Sequence, residues 1–594
     1  MQQITILNAE QEPINEAFMP PAGFRPDDEL EEKIAAITGN CWRLWDEGWH
    51  FLIAASMGKD SSVMTSIVLN AAVEYQAQGL VLPYLVVCSG NTLLENPVID
   101  AYARAELAKV EVFIHKHNLP ARVEIAEPGT SNNYLLNLIG GRTIATLPDN
   151  DDAKCSNMMK VEPITRQKKR IFKELGIDKT CTLVGTRFDE SAARGDAMEQ
   201  RSDSPIEPVN SKAGKTDKKG RPLKPEYVLS PIAHLSLDDI YYYIAMVRND
   251  WVKAYSGFNE LVEVYKEGEG GECMVNAYAN GKAKSTGCGA RFGCHICLRV
   301  QDDKSMNNML THEDTREKNA YMQPLANFRT ALKAWHYDPA RRNWLARTLN
   351  SDGSVNIKPN AYSPEFCEQL MMWALSIDAD EYMATNGSPR FTLLRLVDVL
   401  AIDVLWNRYG YQQGLHACYL WLKVNRDGER WYPPEEPDVF PSRPFPPEVS
   451  VPYADREFDG IFSGFRDLSM MAAGYDEMPY QSSKGDSFMA CNTGDEFSID
   501  ERAAEEFFGF EVEWAVERFH DFCINPTSAY RYLMRLGVVQ IKKGDHAEQE
   551  RMLRMANQIW RSGLRDCLNN PHEIVRRLGM NGDAVGFQGE MFAA

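Results

Sequence analysis

Apolar positions along this chain recur with two periods that alternate in an ordered way. The run from His50, "HFLIAAS", predicts a buried strand over 50–56. A polar break, Met57-Gly58-Lys59-Asp60-Ser61-Ser62, follows. Val63, Met64, Ile67, Val68, Ala71 and Ala72 then fall on one helix face, which predicts a helix over 61–78 ending at Gly79. "VLPYLVVC" predicts a strand over 81–88, and the next helix opens at Asn96-Pro97, where proline suits the first turn. Further strands are expected at 121–126 and 180–186, on either side of a helix near 163–175. "LSPIAHLSLDDIYYYIAM" reads as a strand end and a capped helix. This alternation predicts βαβ units: an α/β fold with a parallel sheet covered on both faces. Ligands in such sheets sit at the carboxyl ends of the strands. The loops 56–62, 89–95 and 185–194 all follow strands and are expected to converge there.

The pattern also divides the chain. Residues 1–45 form an N-terminal helical segment and 46–250 the α/β domain. Glycine and cysteine dominate within 251–315. Residues 316–594 read as mainly helical, with a Pro-rich extended stretch at 433–447 that holds seven prolines. Residues 205–228, rich in Lys, Pro and Gly, read as a flexible basic loop.

Composition changes this picture little. The 594 residues are 44% hydrophobic and 25% charged, ordinary for a globular protein. There is no apolar run of membrane-spanning length and the N-terminus has no signal-peptide pattern, so a cytoplasmic protein without a membrane partner is expected. A net charge of −20 argues against general affinity for nucleic acid, which needs local positive surface. Thirteen cysteines in a reducing compartment point to metal or catalysis rather than to disulfides.

The strand–turn–helix around Ser56 is a ready anion site: backbone N–H groups and the helix dipole face it, and Lys59 adds a full charge. It is not a Walker loop, because Asp60 follows Lys59 and a single glycine precedes it. The string S-M-G-K-D-S-S resembles the PP-loop of ATP pyrophosphatases, with Met57 in place of the usual first glycine. "NTLLENP" (91–97), "KCSNMMKVEP" (154–163), "GTRFDESAAR" (185–194) and "LSPIAHLSLDDIYYYI" are similar to the ordered elements of the PAPS-reductase-like branch of that family. The resemblance spans 50–245, about a third of the chain. It implies that ATP is bound by Ser56, Gly58, Lys59, Asp60, Ser61, Ser62, Lys160, Gly185, Arg187, Glu190 and Arg194. The cations suit phosphate, Asp60 or Glu190 suits Mg²⁺, and the serines also suit helix capping.

Cys273, Cys288, Cys294 and Cys297 are separated by fourteen, five and two residues in a Gly-rich segment. Four thiolates so placed fit zinc or an iron–sulfur cluster, with zinc favoured on spacing alone and His295 a bystander. "CGARFGCHICLRVQDDKSM" (288–306) closely resembles the signature of the DNA phosphorothioation sulfurtransferases of the DndC and SspD type, with His295 where tryptophan is usual. That resemblance implies a [4Fe–4S] cluster on the four cysteines and sulfuration of the DNA backbone. It also implies partnership with a cysteine desulfurase and other phosphorothioation proteins, in the setting of antiphage defence. Lys59, Asp60, Cys155 and Arg187 are then the catalytic candidates, with Cys155 as sulfur carrier beside Lys154 and Lys160. DNA, bound weakly by this chain alone, would meet Arg166, Lys168, Lys169, Arg170 and Lys173, and Lys212, Lys215, Lys218, Lys219, Arg221 and Lys224. Two alternatives stay open: another PP-loop sulfur enzyme (an activated-sulfate reductase or tRNA thiolase), or a non-catalytic iron–sulfur scaffold.

Overall fold

A computed structural model describes residues 28–147, 154–188, 204–217, 219–269, 292–350, 354–442, 445, 448–453, 478–481, 487–491, 496–521, 526–542 and 546–578. Glu190, Arg194, Lys218, Cys273 and Cys288 lie outside the described residues.

The expected parallel sheet is present. Its six strands are β1 (His50–Ala54), β2 (Leu85–Gly90), β3 (Ala121–Ala126), β4 (Thr180–Val184), β5 (Val209–Asn210) and β6 (Tyr227–Leu229), in the order β3-β2-β1-β4-β6-β5. All neighbours are parallel except β5 and β6. Phe51 pairs with Leu85 on one side and with Cys181 on the other, so β1 is central. Successive β1 side chains enter opposite layers. Phe51 and Ile53 pack with α1 (Asp28–Asp46), α2 (Lys59–Ala77) and the helix Leu237–Arg248, whereas Leu52 packs with Ile171 and Phe172 of the helix Glu162–Leu175.

The predicted boundaries move for local reasons. Helix α2 begins at Lys59 rather than 61, with Gly58 as its N-cap, and ends before Gly79, whose φ of +77° suits the left-handed turn after a helix. Strand β2 begins at Leu85 rather than 81; Val81 lies 90% exposed ahead of Pro83, so this part of the apolar run stays outside the sheet. Helix α3 (Pro97–Lys116) opens as expected, the Asn96 side chain accepting the Val98 N–H. Ser236 and Asp239 form a capping box on the helix Leu237–Arg248. The segment read as a flexible loop, 205–228, supplies the edge strand β5 and a turn in which Asp217 accepts from the Lys219 and Arg221 N–H groups.

The C-terminal half is helical around Pro364–Ala384 and Leu396–Tyr409, but it also carries two small sheets the sequence did not predict. One joins Arg342–Leu349, Ser354–Tyr362 and Val449–Pro452; the other joins Met478–Gln481, Ser487–Cys491, Phe497–Ile499 and Val539–Lys542. The short helix Tyr134–Ile139 lies within this larger core, where Trp406 donates to the Ile139 carbonyl at 2.9 Å and the Ala145 N–H donates to Tyr362 at 3.2 Å. The Pro-rich stretch is anchored to the same core by Phe440 and Phe445.

Candidate active site

The strand order reverses between β1 and β4, and a cleft of about 730 Å³ opens at their carboxyl ends. This is the crevice in which open α/β sheets hold ligands. Ser56 to Ser61 form one wall, Ser89 to Asn91 and Glu95 another, and Gly185, Thr186 and Arg187 a third. Three of the loops expected to converge therefore do so.

The first wall departs from a glycine turn. Met57 takes a φ of +55°, a left-handed conformation that glycine adopts freely, yet it is 1% exposed. Its carbonyl accepts the Tyr102 hydroxyl at 3.0 Å and its sulfur contacts the Tyr255 hydroxyl at 3.8 Å. The strain of such a residue is about 1–2 kcal/mol, against about 1.5–3 kcal/mol for burying the side chain. Met57→Gly is therefore expected to destabilise the protein slightly rather than relax it, read as a lower urea midpoint.

The serines do not cap α2 in the ordinary sense, since Gly58 is the N-cap and no side chain bonds there. Ser61 donates to the Gly58 carbonyl and shares a contact of 3.0 Å with Ser56, while Ser62 is fully buried. The first N–H groups of α2 meet no capping side chain and face the cleft mouth, where Tyr265 hydroxyl stands 3.5 Å from the Lys59 nitrogen. The Lys59 ammonium lies 3.4 Å from Asp60 and 5.7 Å from the Tyr265 ring centre.

Arg187 is 2% exposed and donates to Asp60 at 2.6 Å and to the Leu235 carbonyl at 3.3 Å. It was expected to face phosphate; here it holds Asp60 in place, which in turn meets Lys59. Gly185 is required by close approach. A Cβ there would lie 3.1 Å from Ser61 Cα and 3.2 Å from its nitrogen. Gly185→Ala is expected to displace the first turn of α2 and raise the KM for ATP by about tenfold with a modest change in melting temperature, checked by initial rates across ATP concentrations.

Lys160 reaches the cleft from an unpredicted feature, a π-helical turn over Asn157–Val161 that leads into the helix Glu162–Leu175. Such turns insert one extra residue and re-aim a side chain. Lys160 stands 3.4 Å from Glu95. Desolvation opposes its charge, but Glu95 and the thiols of Cys294 and Cys297 outweigh this and its pKa lies above the usual lysine value. Glu95 was within the quoted "NTLLENP" motif but not among the candidates. Its carboxylate accepts from Thr92 at 3.0 Å, its backbone bridges to Cys294, and Thr92 lies 3.7 Å from the Cys294 sulfur. Glu95 thus belongs both to the cleft and to the turn of the thiol pair, and Lys160 meets it from the cleft side. Cys155 sits one helical turn earlier, packed at the edge of the larger core, and is not among the cleft walls.

Cys294 and Cys297 lie on one tight turn, the Cys297 N–H donating to the Cys294 carbonyl at 2.9 Å. Arg329 holds the Cys297 carbonyl at 2.7 Å. Sequestration from water, then Glu95, push the free Cys294 thiol up to about 12; Lys160 and Thr92 work against them. A thiol so placed is a poor nucleophile alone and becomes a thiolate when a metal takes its proton's place. Among the described residues no three His, Cys, Asp or Glu side chains are grouped to hold a metal ion. Cys294 and Cys297 fit half of a four-thiolate set; Cys273 and Cys288 lie outside the described residues. His295 is buried with its Nδ1 on the Glu95 carbonyl at 3.4 Å, and burial lowers its pKa to about 4. It packs, as a bystander to the cysteines would.

The motif Asp303-Lys304-Ser305-Met306 is structural. Asp303 caps the helix Lys304–Thr311, and Met306 and Met309 accept from the Asn96 amide at 3.7 and 3.6 Å. The same Asn96 caps α3, so the cysteine segment is tied to the loop that carries Glu95.

Residues 50–257 match the family described as the phosphoadenosine phosphosulfate reductase domain. The chain therefore contains a PP-loop domain of this kind over about a third of its length, with the fold that the cleft implies. No curated protein matches the chain. Among solved structures, the U34-tRNA thiolase NcsA from Methanococcus maripaludis with its [4Fe-4S] cluster is similar at 12% identity over 46% of this chain and 90% of that one, with a TM-score of 0.23. A score that low carries no argument about this chain. No helix among the described residues is long and apolar enough to cross a membrane.

Proposed function

We propose that the protein is an ATP pyrophosphatase and sulfurtransferase that activates a DNA backbone phosphate for replacement of a non-bridging oxygen by sulfur. The observation that supports the coupling of ATP to sulfur is the wall formed by Glu95, which lines the cleft, bridges by its backbone to Cys294 and pairs with Lys160 at 3.4 Å. The choice of DNA rests on the cysteine signature that ends in Asp303-Lys304-Ser305-Met306.

In this reading the N-terminus of α2, Lys59 and Lys160 bind the phosphates of ATP, and Asp60, oriented by Arg187, offers oxygen to Mg²⁺. An oxygen of the DNA phosphate attacks the α-phosphorus, the α–β bond breaks and pyrophosphate leaves. The outer sulfur of the carrier persulfide then attacks the DNA phosphorus and AMP leaves; the thiol of a second free cysteine attacks the carrier sulfur, the S–S bond breaks, the DNA keeps the sulfur as phosphorothioate and the two thiols end as a disulfide that an external thiol reduces. A [4Fe–4S] cluster on Cys273, Cys288, Cys294 and Cys297, when bound, supplies sulfur or electron delivery. Lys160 balances negative charge on the cleft side of that thiol pair, and Thr92 hydrogen-bonds to it. Cys155 remains the candidate persulfide carrier, loaded by a cysteine desulfurase, and further phosphorothioation proteins supply grip on DNA.

The test supplies anaerobic protein, ATP, Mg²⁺, a cysteine desulfurase with cysteine, and DNA. Nuclease digestion and mass spectrometry are expected to show phosphorothioate-linked dinucleotides. Sulfur in tRNA nucleosides instead, or growth on sulfate rescued by the gene, would replace this substrate with that of the other PP-loop enzymes. The absence of any nucleotide turnover would leave only the scaffold.

A further inference from the structure

Several of the basic residues that the sequence offers to DNA are engaged within the protein. Lys168 pairs with Glu226 at 2.6 Å, Arg170 pairs with Glu124, Arg221 pairs with Asp217 at 2.7 Å, and Lys215 donates to the Ser211 carbonyl at 2.9 Å. Charge already neutralised by a neighbouring carboxylate releases few counterions from a nucleic acid.

A different place gathers cations with no carboxylate among its walls. A pocket of about 460 Å³ is lined by Trp514, Arg518, Phe519, Ser528, Arg531, Tyr532 and Arg535. It lies where the helix Val512–Val516 and the turn Glu517–Asp521 meet the helix Pro526–Arg535. Trp514 is 52% exposed, and just ahead of it Phe510 is 88% exposed. The Arg518 guanidinium lies 5.4 Å from the Trp514 ring and 5.7 Å from that of Phe519, and Tyr532 packs tilted against Phe519, ring centres 4.8 Å apart. Of the neighbouring acids, Glu511 accepts the hydroxyl of the wall residue Tyr532, Glu513 meets Arg426 at 3.6 Å, Asp521 pairs with His520 at 2.7 Å, and the exposed Glu517 is not among the walls.

We infer that this pocket binds single-stranded DNA, a base stacking on Trp514 while Arg518 and Arg535 hold the phosphates on either side. Exposed aromatic faces interleaved with arginine are what an unpaired strand requires, since every base offers a π-face and every nucleotide a charge. In a chain of net charge −20, an aromatic surface whose only charged walls are three arginines selects a polyanion over an acid-repelled protein surface. The choice of DNA over RNA rests on the function proposed above.

Binding of a labelled oligothymidylate to the full chain, followed by fluorescence anisotropy and by Trp514 quenching, tests this. Trp514→Ala is expected to weaken binding by about tenfold or more, and Trp514→Phe to restore most of it. Arg518→Gln and Arg535→Gln, at exposed positions where the fold is not at stake, are expected each to lower the slope of log affinity against log salt by about 0.7. Unchanged binding in these variants overturns the site. So does duplex DNA binding more tightly than the single strand, or oligouridylate binding more tightly than oligothymidylate. If the strand binds as described but no phosphorothioate forms, the proposed reaction fails and this site stands. If phosphorothioate forms equally well on a single strand with Arg518→Gln/Arg535→Gln, the site fails and the reaction stands.

Discussion

Lys59→Ala is expected to cut pyrophosphate release from ATP by about a hundredfold or more while leaving the melting temperature nearly unchanged. The side chain contacts Asp60 at 3.4 Å and the face of Tyr265, and no core depends on it. In the proposed reaction it supplies a fixed positive charge at the N-terminus of α2, where the leaving pyrophosphate would gather negative charge. Asp60 gives a less clean test. Arg187 is 2% exposed and bonded to Asp60 at 2.6 Å, so Asp60→Ala leaves a buried charge without its partner. That loss is expected to destabilise the protein by about 3–5 kcal/mol, and a lost activity would then report the fold. A coupled pyrophosphate assay with Mg²⁺ and DNA, alongside a thermal melt, separates the two variants. Release of phosphate with no pyrophosphate from the unaltered protein would remove the PP-loop reading.

Cys297→Ser is expected to remove iron, acid-labile sulfide and the phosphorothioate product together, with pyrophosphate release retained. The substitution is nearly isosteric and the backbone of the turn stays held by the Cys294 carbonyl and by Arg329. Serine is a far harder ligand and does not replace a thiolate at a soft metal centre. Iron, sulfide and zinc analysis of anaerobically purified protein gives the first readout, and digestion of genomic DNA from cells with the partner genes gives the second. Stoichiometric zinc without labile sulfide in the unaltered protein would overturn the cluster. Loss of the product with the metal unchanged would place Cys297 in sulfur transfer rather than in ligation.

Several features were legible in the chain order of residues because they are local. The strand His50–Ala54, the helix after it, the Asn96 cap and the Ser236 capping box each follow from spacing within one turn or one strand. The alternation of strand and helix also implied the parallel sheet and the crevice at its carboxyl ends, because parallel strands admit few other connections. The two small C-terminal sheets were not legible: each contains a hairpin, but the strands that complete them, Val449–Pro452 and Val539–Lys542, are four residues long and pair with partners far along the chain.

At the candidate site the same division holds. Which residues line the cleft was readable from Ser56-Met57-Gly58-Lys59-Asp60 and from Gly185-Thr186-Arg187. What each one does there was decided by contacts between elements far apart in sequence. Arg187 turns to Asp60, Gly185 is pinned against Ser61, and a π turn brings Lys160 to Glu95 beside Cys294. Charge was the least legible, because a sequence shows how many lysines a helix carries but not which carboxylates face it. Glu226 and Glu124 fold against Lys168 and Arg170, and Trp514, Arg518 and Arg535 gather only when two helices meet. Local pattern determined the fold class and the place of the cleft; the pairing of distant charges, which only tertiary packing sets, decided which residues remain available to a ligand.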